Sequence, residues 1–441
     1  MKRVCSLIIA FTLILATFSG CKAEPLRVCI DAEYLKYFND GSSDETLRRF
    51  LDHVEDLGGP ENVVIDAVPS KGVERESALQ RLRTEIMSGK GPDVFIVACP
   101  GGVFNNPSEA LFTVPEKAMQ NGLFLTLDDY IENAQYMDWN KLTSSVMNAG
   151  KNEYGQQILP LSYSVPVTCF VAAECESTDY SEACWQDMTD GSDDMLVASA
   201  TWFHSESAAS EIMNGDYTEF TFGSLADYEN EVLSFTENEL YERTIEILEL
   251  EEEYSNGEYA DAPRHYQTLL YPGFNLRADN YGDGIDPFVG IESDESLKMV
   301  PIYCDEGGCV AEVQYFAAIN SSTRYADEAF FILDVLFSLD SQQNSDMYEI
   351  FCEYGLPTHE SLMQEATPTK YSMRFALTDE NYAEFNSLRE QINCARFRNA
   401  LTVEMHNTFT ECREKYAVGD LAAVQQKIDD SYRTMEQILN E

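Results

Sequence analysis

The residues best able to do chemistry are thinly spread. Five histidines, His53, His204, His265, His359 and His406, are dispersed along the chain, and no G-x-S-x-G, H-E-x-x-H or C-x-x-C accompanies them. A Ser–His–Asp set is recognised by its geometry and not by its order, so an extracytoplasmic hydrolase stays open as a competing class, without a nucleophile that the sequence advertises. Adjacent aspartates at 128–129, 193–194 and 429–430 would suit acid–base work by paired carboxylates, yet 77 acidic residues guarantee such pairs by chance. "DNYGDGID" (279–286) begins like an oxygen-ligand calcium loop, but residue 290, where the bidentate glutamate belongs, is glycine. It reads as a solvated turn. No metal, no cofactor and no catalytic residue is expected.

A sharper question comes from "EIMSGKGPDVFIV" (85–97), because a glycine-rich turn with a lysine can cradle phosphate. A phosphate loop follows a strand and opens a helix, so that backbone N–H groups and the helix dipole meet the anion. Here the order is reversed: a helical pattern ends and an apolar strand begins. Neither G-x-x-x-x-G-K-[ST] nor G-x-G-x-x-G occurs. Gly89 reads as a left-handed helix cap, with Pro92 stopping the helix. The turn is a corner.

The elements around that corner have a definite order. "LRVCIDA" (26–32), "NVVIDAV" (62–68) and "DVFIVA" (93–98) read as strands. Between the first two, Leu47, Phe50, Leu51, Val54 and Leu57 share a helical face, with Ser43 as N-cap and Gly58 just past the end. Leu79, Leu82 and Ile86 line a second helix. Strand, helix, strand, helix, strand with short connections predicts a parallel, right-handed βαβαβ unit, whose ligands bind beyond the carboxyl ends of the strands. Near the other end, Leu421, Val424, Ile428, Met435 and Ile438 form one apolar stripe on a packing helix.

Lys2 and Arg3, the apolar run Val4 to Phe18 and a small-residue site before Cys21 read as a signal peptide. Cys21 after Ser-Gly resembles a bacterial lipobox, in which the cysteine is lipidated; Phe18 departs from the usual aliphatic residue. An exported chain anchored to the extracytoplasmic face of the cell membrane is expected. The remaining length is too great for one core and suggests two lobes. The net charge of −48 repels nucleic acid and reads mainly as an acidic surface. Ten cysteines after Cys21 permit disulfides without fixing their pairing.

The corner also carries a resemblance. A helix ending in Ser-Gly-Lys-Gly-Pro-Asp-Val and running into an apolar strand resembles the family 1 extracellular solute-binding proteins, receptors of ATP-binding-cassette (ABC) importers that include maltose-binding protein. "NGLFLTLDDYI" (121–131), "YGQQILPLSYSVPVTCFV" (154–171), "FAAINSSTRYADEAFFILDVLFSLDSQQ" (316–343) and "GLPTHESL" (355–362) resemble further segments of that family, in the family's order. Cys169-Phe170-Val171 replaces its usual aromatic-Asn strand end, and little matches across 172–265. The resemblance implies an α/β, two-lobed, periplasmic-binding-protein-like fold with a multi-strand hinge. The first lobe would hold 26–160 and 316–345, the second 168–310 and 350–441, after a signal segment 1–20.

The resemblance further implies a monomeric receptor that captures a small solute by lobe closure and delivers it to a membrane permease. A carbohydrate is the leading solute, because a sugar ring suits aromatic faces and fixed polar groups together. The acidic balance keeps a cationic solute such as a polyamine open; an adhesive lipoprotein is a further class. Candidate ligand contacts are Asp31, Glu33 and Tyr34 after the first strand, and Tyr163 and Ser164 on the crossing strand. Trp202, Glu206, Tyr271 and Asn275 are the candidates in the second lobe, and Tyr315, beside Gln314, lies at the second crossing.

Overall fold

Three short apolar runs become parallel strands because helices cover both of their faces. The computed structural model describes residues 24–31, 43–69, 72–100, 110–175, 184–189, 222–255, 265–270, 296–301, 309–344, 356–361 and 379–440. The first elements are β1 (Leu26–Asp31), α1 (Ser43–Asp56), β2 (Val63–Val68), α2 (Gly72–Met87) and β3 (Val94–Ala98). β1 pairs in parallel with β2 on one side and β3 on the other. Alternate side chains point to opposite faces. Val28, Ile30, Val94 and Ile96 therefore pack with Leu47, Phe50 and Val54 of α1, while Cys29, Phe95 and Val97 pack with Leu79, Leu82 and Ile86 of α2. We call these the α1 core and the α2 core. The expected βαβαβ unit is present.

The corner at 88–92 is structural. Gly89 adopts a φ of +69°, and the amides of Gly89 and Lys90 donate to the carbonyls of Ile86 and Glu85 at 2.9 and 2.8 Å. This closes the last turn of α2 and aims the chain at β3.

Two long strands then tie the sheet together. The other strands of this sheet are β4 (Ile158–Val171), β5 (His265–Leu270), β6 (Leu297–Pro301), β7 (Cys309–Ile319), β8 (Leu356–Pro357) and β9 (Ile392–Phe397). The sheet runs β6-β4-β7-β3-β1-β2, with β5 and β8 also on β4 and β9 on β7. The second half of β7 lies antiparallel between β3 and the first half of β4, whereas its first half pairs in parallel with β9. The second half of β4 pairs antiparallel with β5 and β6.

β7 changes register at Tyr315/Phe316. Ala311 and Val313 join the α2 core before that point and Phe316 and Ala318 after it, so the odd-even pattern inverts across the bulge.

The last part of the molecule is helical. The longer helices after β3 are α3 (Glu237–Ser255), α4 (Ala326–Leu336), α5 (Asp379–Glu390), α6 (Ala400–Ala417) and α7 (Leu421–Asn440). α4 packs beside α1 in the α1 core. α3, α6 and α7 enclose a third, helical core with Phe170, Trp185 and Val300. The apolar stripe on α7 is present, with Val424, Ile428 and Met435 fully buried and Leu439 joining them. Leu421 departs from expectation: it is 49% exposed, being the first residue of the helix, where α6 has already ended.

Candidate functional site

β1 ends on Asp31, and that carboxylate is taken by an arginine. Arg75, on α2, donates from Nη1 to Oδ1 and from Nη2 to Oδ2, both at 2.7 Å. Its Nη1 also donates to the carbonyl of Pro69, just past β2, at 2.9 Å. Both side chains are buried. A bidentate pair of this kind is geometrically specific, and here it joins the carboxyl ends of β1 and β2 to the helix between β2 and β3.

The carboxyl end of β9 opens on a cavity. It measures about 60 Å³ and is lined by Glu116, Tyr228, Glu312, Arg396, Arg398 and Asn399, among others. Room of that size holds several waters or one small polar group. Glu116 lies on a short helix, Pro115–Gln120, whose Ala118 and Met119 belong to the α2 core with Phe95, Phe112 and Phe124. Tyr228 packs against the helical core, which includes Leu401 at the start of α6. The cavity therefore sits where the α2 core and the helical core meet.

Asn399 organises this junction. Its Nδ2 lies 3.2 Å from each Glu116 carboxylate oxygen and 2.8 Å from the Tyr228 hydroxyl. Ala400 N donates to the carbonyl of Thr113 at 2.8 Å, and Lys117 pairs with Glu231 at 3.3 Å. Burial pushes the Glu116 carboxyl up to about 7, against the pull of its hydrogen bonds, including those with Asn399 and Tyr228. On β7, Glu312 is 2% exposed. Its Oε1 lies 3.7 Å from Nε of Arg398; burial raises its carboxyl and the Arg398 charge only partly offsets this. The Cys99 thiol, at the end of β3, is also raised, first by burial and then by the charges of Glu116 and Glu312. Both carboxylates are thus within electrostatic reach of the strand end where parallel sheets bind ligands.

The sequence-derived candidates fall into two groups. Asp31, Tyr163, Ser164 and Tyr315 are interior residues. Tyr163 is buried on β4 and paired with Leu356 in register, and Ser164 accepts a 2.8 Å hydrogen bond from Nε2 of Gln314. Glu33, Tyr34, Trp202, Glu206, Tyr271, Asn275 and Cys21 lie outside the described residues. None of the four interior candidates lines the cavity, and Glu116, Glu312, Arg398 and Asn399 were not singled out. One signal pointed to Glu312: it is a lone acid inside the apolar strand CVAEVQYFAAI.

No protein-family model matches the chain, and no curated protein matches its sequence. Solved structures do match its fold. An extracellular solute-binding protein family 1 structure from Alicyclobacillus acidocaldarius superposes with a TM-score of 0.50 at 14% identity, over 95% of this chain and 100% of the other. A periplasmic oligogalacturonide binding protein from Yersinia enterocolitica gives 0.52 at 12%, over 94% and 99%. A de novo designed cysteine esterase gives 0.55 at 13%, over 94% and 98%. The chain has the α/β, two-lobed, periplasmic-binding-protein-like fold that its sequence predicts. At these identities the likeness speaks for fold alone.

Proposed function

We propose that this chain is an extracytoplasmic solute receptor, held to the membrane through Cys21, that captures a small carbohydrate by lobe closure and delivers it to an ABC import permease. The observation that carries the reading is the small cavity lined by Glu116, Glu312, Arg396 and Arg398 among others, between two separate cores. One polar group of a solute, lodged at this junction, touches both cores, and the solute's differential affinity for the closed arrangement would drive closure. The fold match over nearly the full length of both chains supports the receptor class, and the Yersinia neighbour binds an oligosaccharide by its name.

The fold also hosts a designed cysteine esterase, so fold does not decide against catalysis. The chemistry of three buried thiols weighs against their acting as nucleophiles. Burial raises Cys29, Cys99 and Cys412, the last to about 11, and a thiol held protonated is a poor nucleophile.

The test is thermal unfolding of the purified protein against neutral oligosaccharides, acidic oligosaccharides, polyamines and amino acids. A true solute at 100 times its dissociation constant stabilises by about 2.7 kcal/mol. A shift with sugars alone supports the carbohydrate reading; a shift with polyamines alone moves the solute class to cations. No shift across the panel overturns the receptor reading.

A further inference from the structure

We infer that Glu312 is the specificity-determining contact of this site, the carboxylate that takes hydrogen-bond donors from the solute. The inference rests on the receptor reading and names what the cavity selects. Three acids are fully buried among the described residues: Asp31, Glu312 and Asp334. Asp31 receives two 2.7 Å bonds from Arg75. Asp334 receives the amides of Gln135, Tyr136 and Met137 at 2.8, 3.0 and 2.7 Å. Glu312 accepts no hydrogen bond from any described residue, and Arg398 Nε at 3.7 Å is beyond hydrogen-bond distance.

A buried carboxylate in that condition is expensive to the fold, because ionised oxygens lose water without gaining donors. Glu312 differs from the other two in one further respect: it lines the cavity. It also sits on a strand whose every residue is buried, so the carboxylate is rigidly placed. The lone pairs that no described residue engages by a hydrogen bond, and the space beside them, are complementary to a donor group that carries no negative charge. A hydroxymethyl or hydroxyl of a neutral sugar provides this, as does a primary ammonium. An anionic group finds no donor on the Glu312 carboxylate itself.

Calorimetric titration of wild type, Glu312→Gln and Glu312→Asp with maltotriose, cellotriose, raffinose, spermidine and trigalacturonate tests the idea. We expect a neutral sugar or spermidine to bind wild type, to bind Glu312→Gln at least tenfold more weakly, and to bind Glu312→Asp at an intermediate level. Which probe binds tells a hydroxyl from an ammonium. Without solute, Glu312→Gln should melt no lower than wild type, since a neutral amide is the cheaper group to bury. Equal binding to wild type and Glu312→Gln overturns the inference and leaves the receptor reading standing. Binding of trigalacturonate alone has the same consequence. A lower melting point with undiminished binding would make Glu312 a structural partner of Arg398. If wild type binds none of the probes, and the wider panel also fails, the receptor reading falls and the inference falls with it.

Discussion

Asn399 serves Glu116 and its own helix with opposite ends of one amide. Its Nδ2 lies 3.2 Å from both Glu116 oxygens, while its Oδ1 accepts from Leu401 N and Thr402 N at 2.9 and 3.3 Å. Thr402 Oγ1 in turn accepts from Asn399 N at 2.9 Å, completing a capping box. A helix start in one core thereby grips a carboxylate carried by another. Rotating the amide would lose both contacts at once.

The first prediction concerns pH. The folded state raises the Glu116 carboxyl from an ordinary 4.5 to about 7, so the folded protein binds more protons than the unfolded chain between those values. The stability linked to this group is fully present below about pH 4.5 and is lost as the pH rises through about 7. Glu116→Gln removes the titration. In urea unfolding from pH 4.5 to 8, wild type should weaken relative to Glu116→Gln by on the order of 3 kcal/mol across that window, and the two should run parallel above it. A constant difference at all pH values would contradict the assignment.

The second prediction separates the two tasks of Asn399. Asn399→Asp keeps an acceptor for the α6 amides, and its charge suits a helix start. It replaces the donor facing Glu116 with a second carboxylate. Its penalty should therefore be larger at pH 8, where Glu116 is ionised, than at pH 5. Asn399→Ala loses the cap at both values, roughly 1 kcal/mol, and should show less pH dependence. Unfolding of the two variants at the two pH values decides between them.

The βαβαβ unit and the corner at Gly89 were legible because their signals are local. Period-two apolar strands, a three-to-four spacing in α1 and α2, and a positive-φ glycine are each read within a few residues of sequence. The junction was not, because its partners are remote. Asn399 meets Glu116 across 283 residues, and Arg75 meets Asp31 across 44. Arg75 interrupts no pattern on α2 that would mark it as buried, since arginine on an amphipathic helix normally points to solvent. Aromatic supply in loops points to Trp202 and Tyr271, whereas the cavity lining mixes Glu116, Glu312, Arg396, Arg398 and Asn399 with Leu225, Tyr228 and Phe397. Glu312 could have been found: a lone acid in an apolar strand is either an error of burial or a site.

The last prediction returns to Asp31, which the sequence offered as a ligand contact and the structure joins to Arg75. The two readings differ in what a variant does. If the pair is structural, Arg75→Met takes two 2.7 Å bonds from a buried carboxylate, and breaking a buried pair by removing one partner costs about 3–5 kcal/mol. Asp31→Asn should cost less, because the amide oxygen still accepts one bond while the amide nitrogen faces the guanidinium. The double variant should be less destabilised than the sum of the two, as residues sharing one interaction are not additive. Urea unfolding of the four proteins gives the coupling directly. If instead Asp31 meets the solute, Asp31→Asn would weaken binding of the solute found for wild type with stability nearly intact, and coupling to Arg75 would be small. A large coupling with unchanged binding assigns Asp31 to the scaffold that holds the carboxyl ends of β1 and β2 in place.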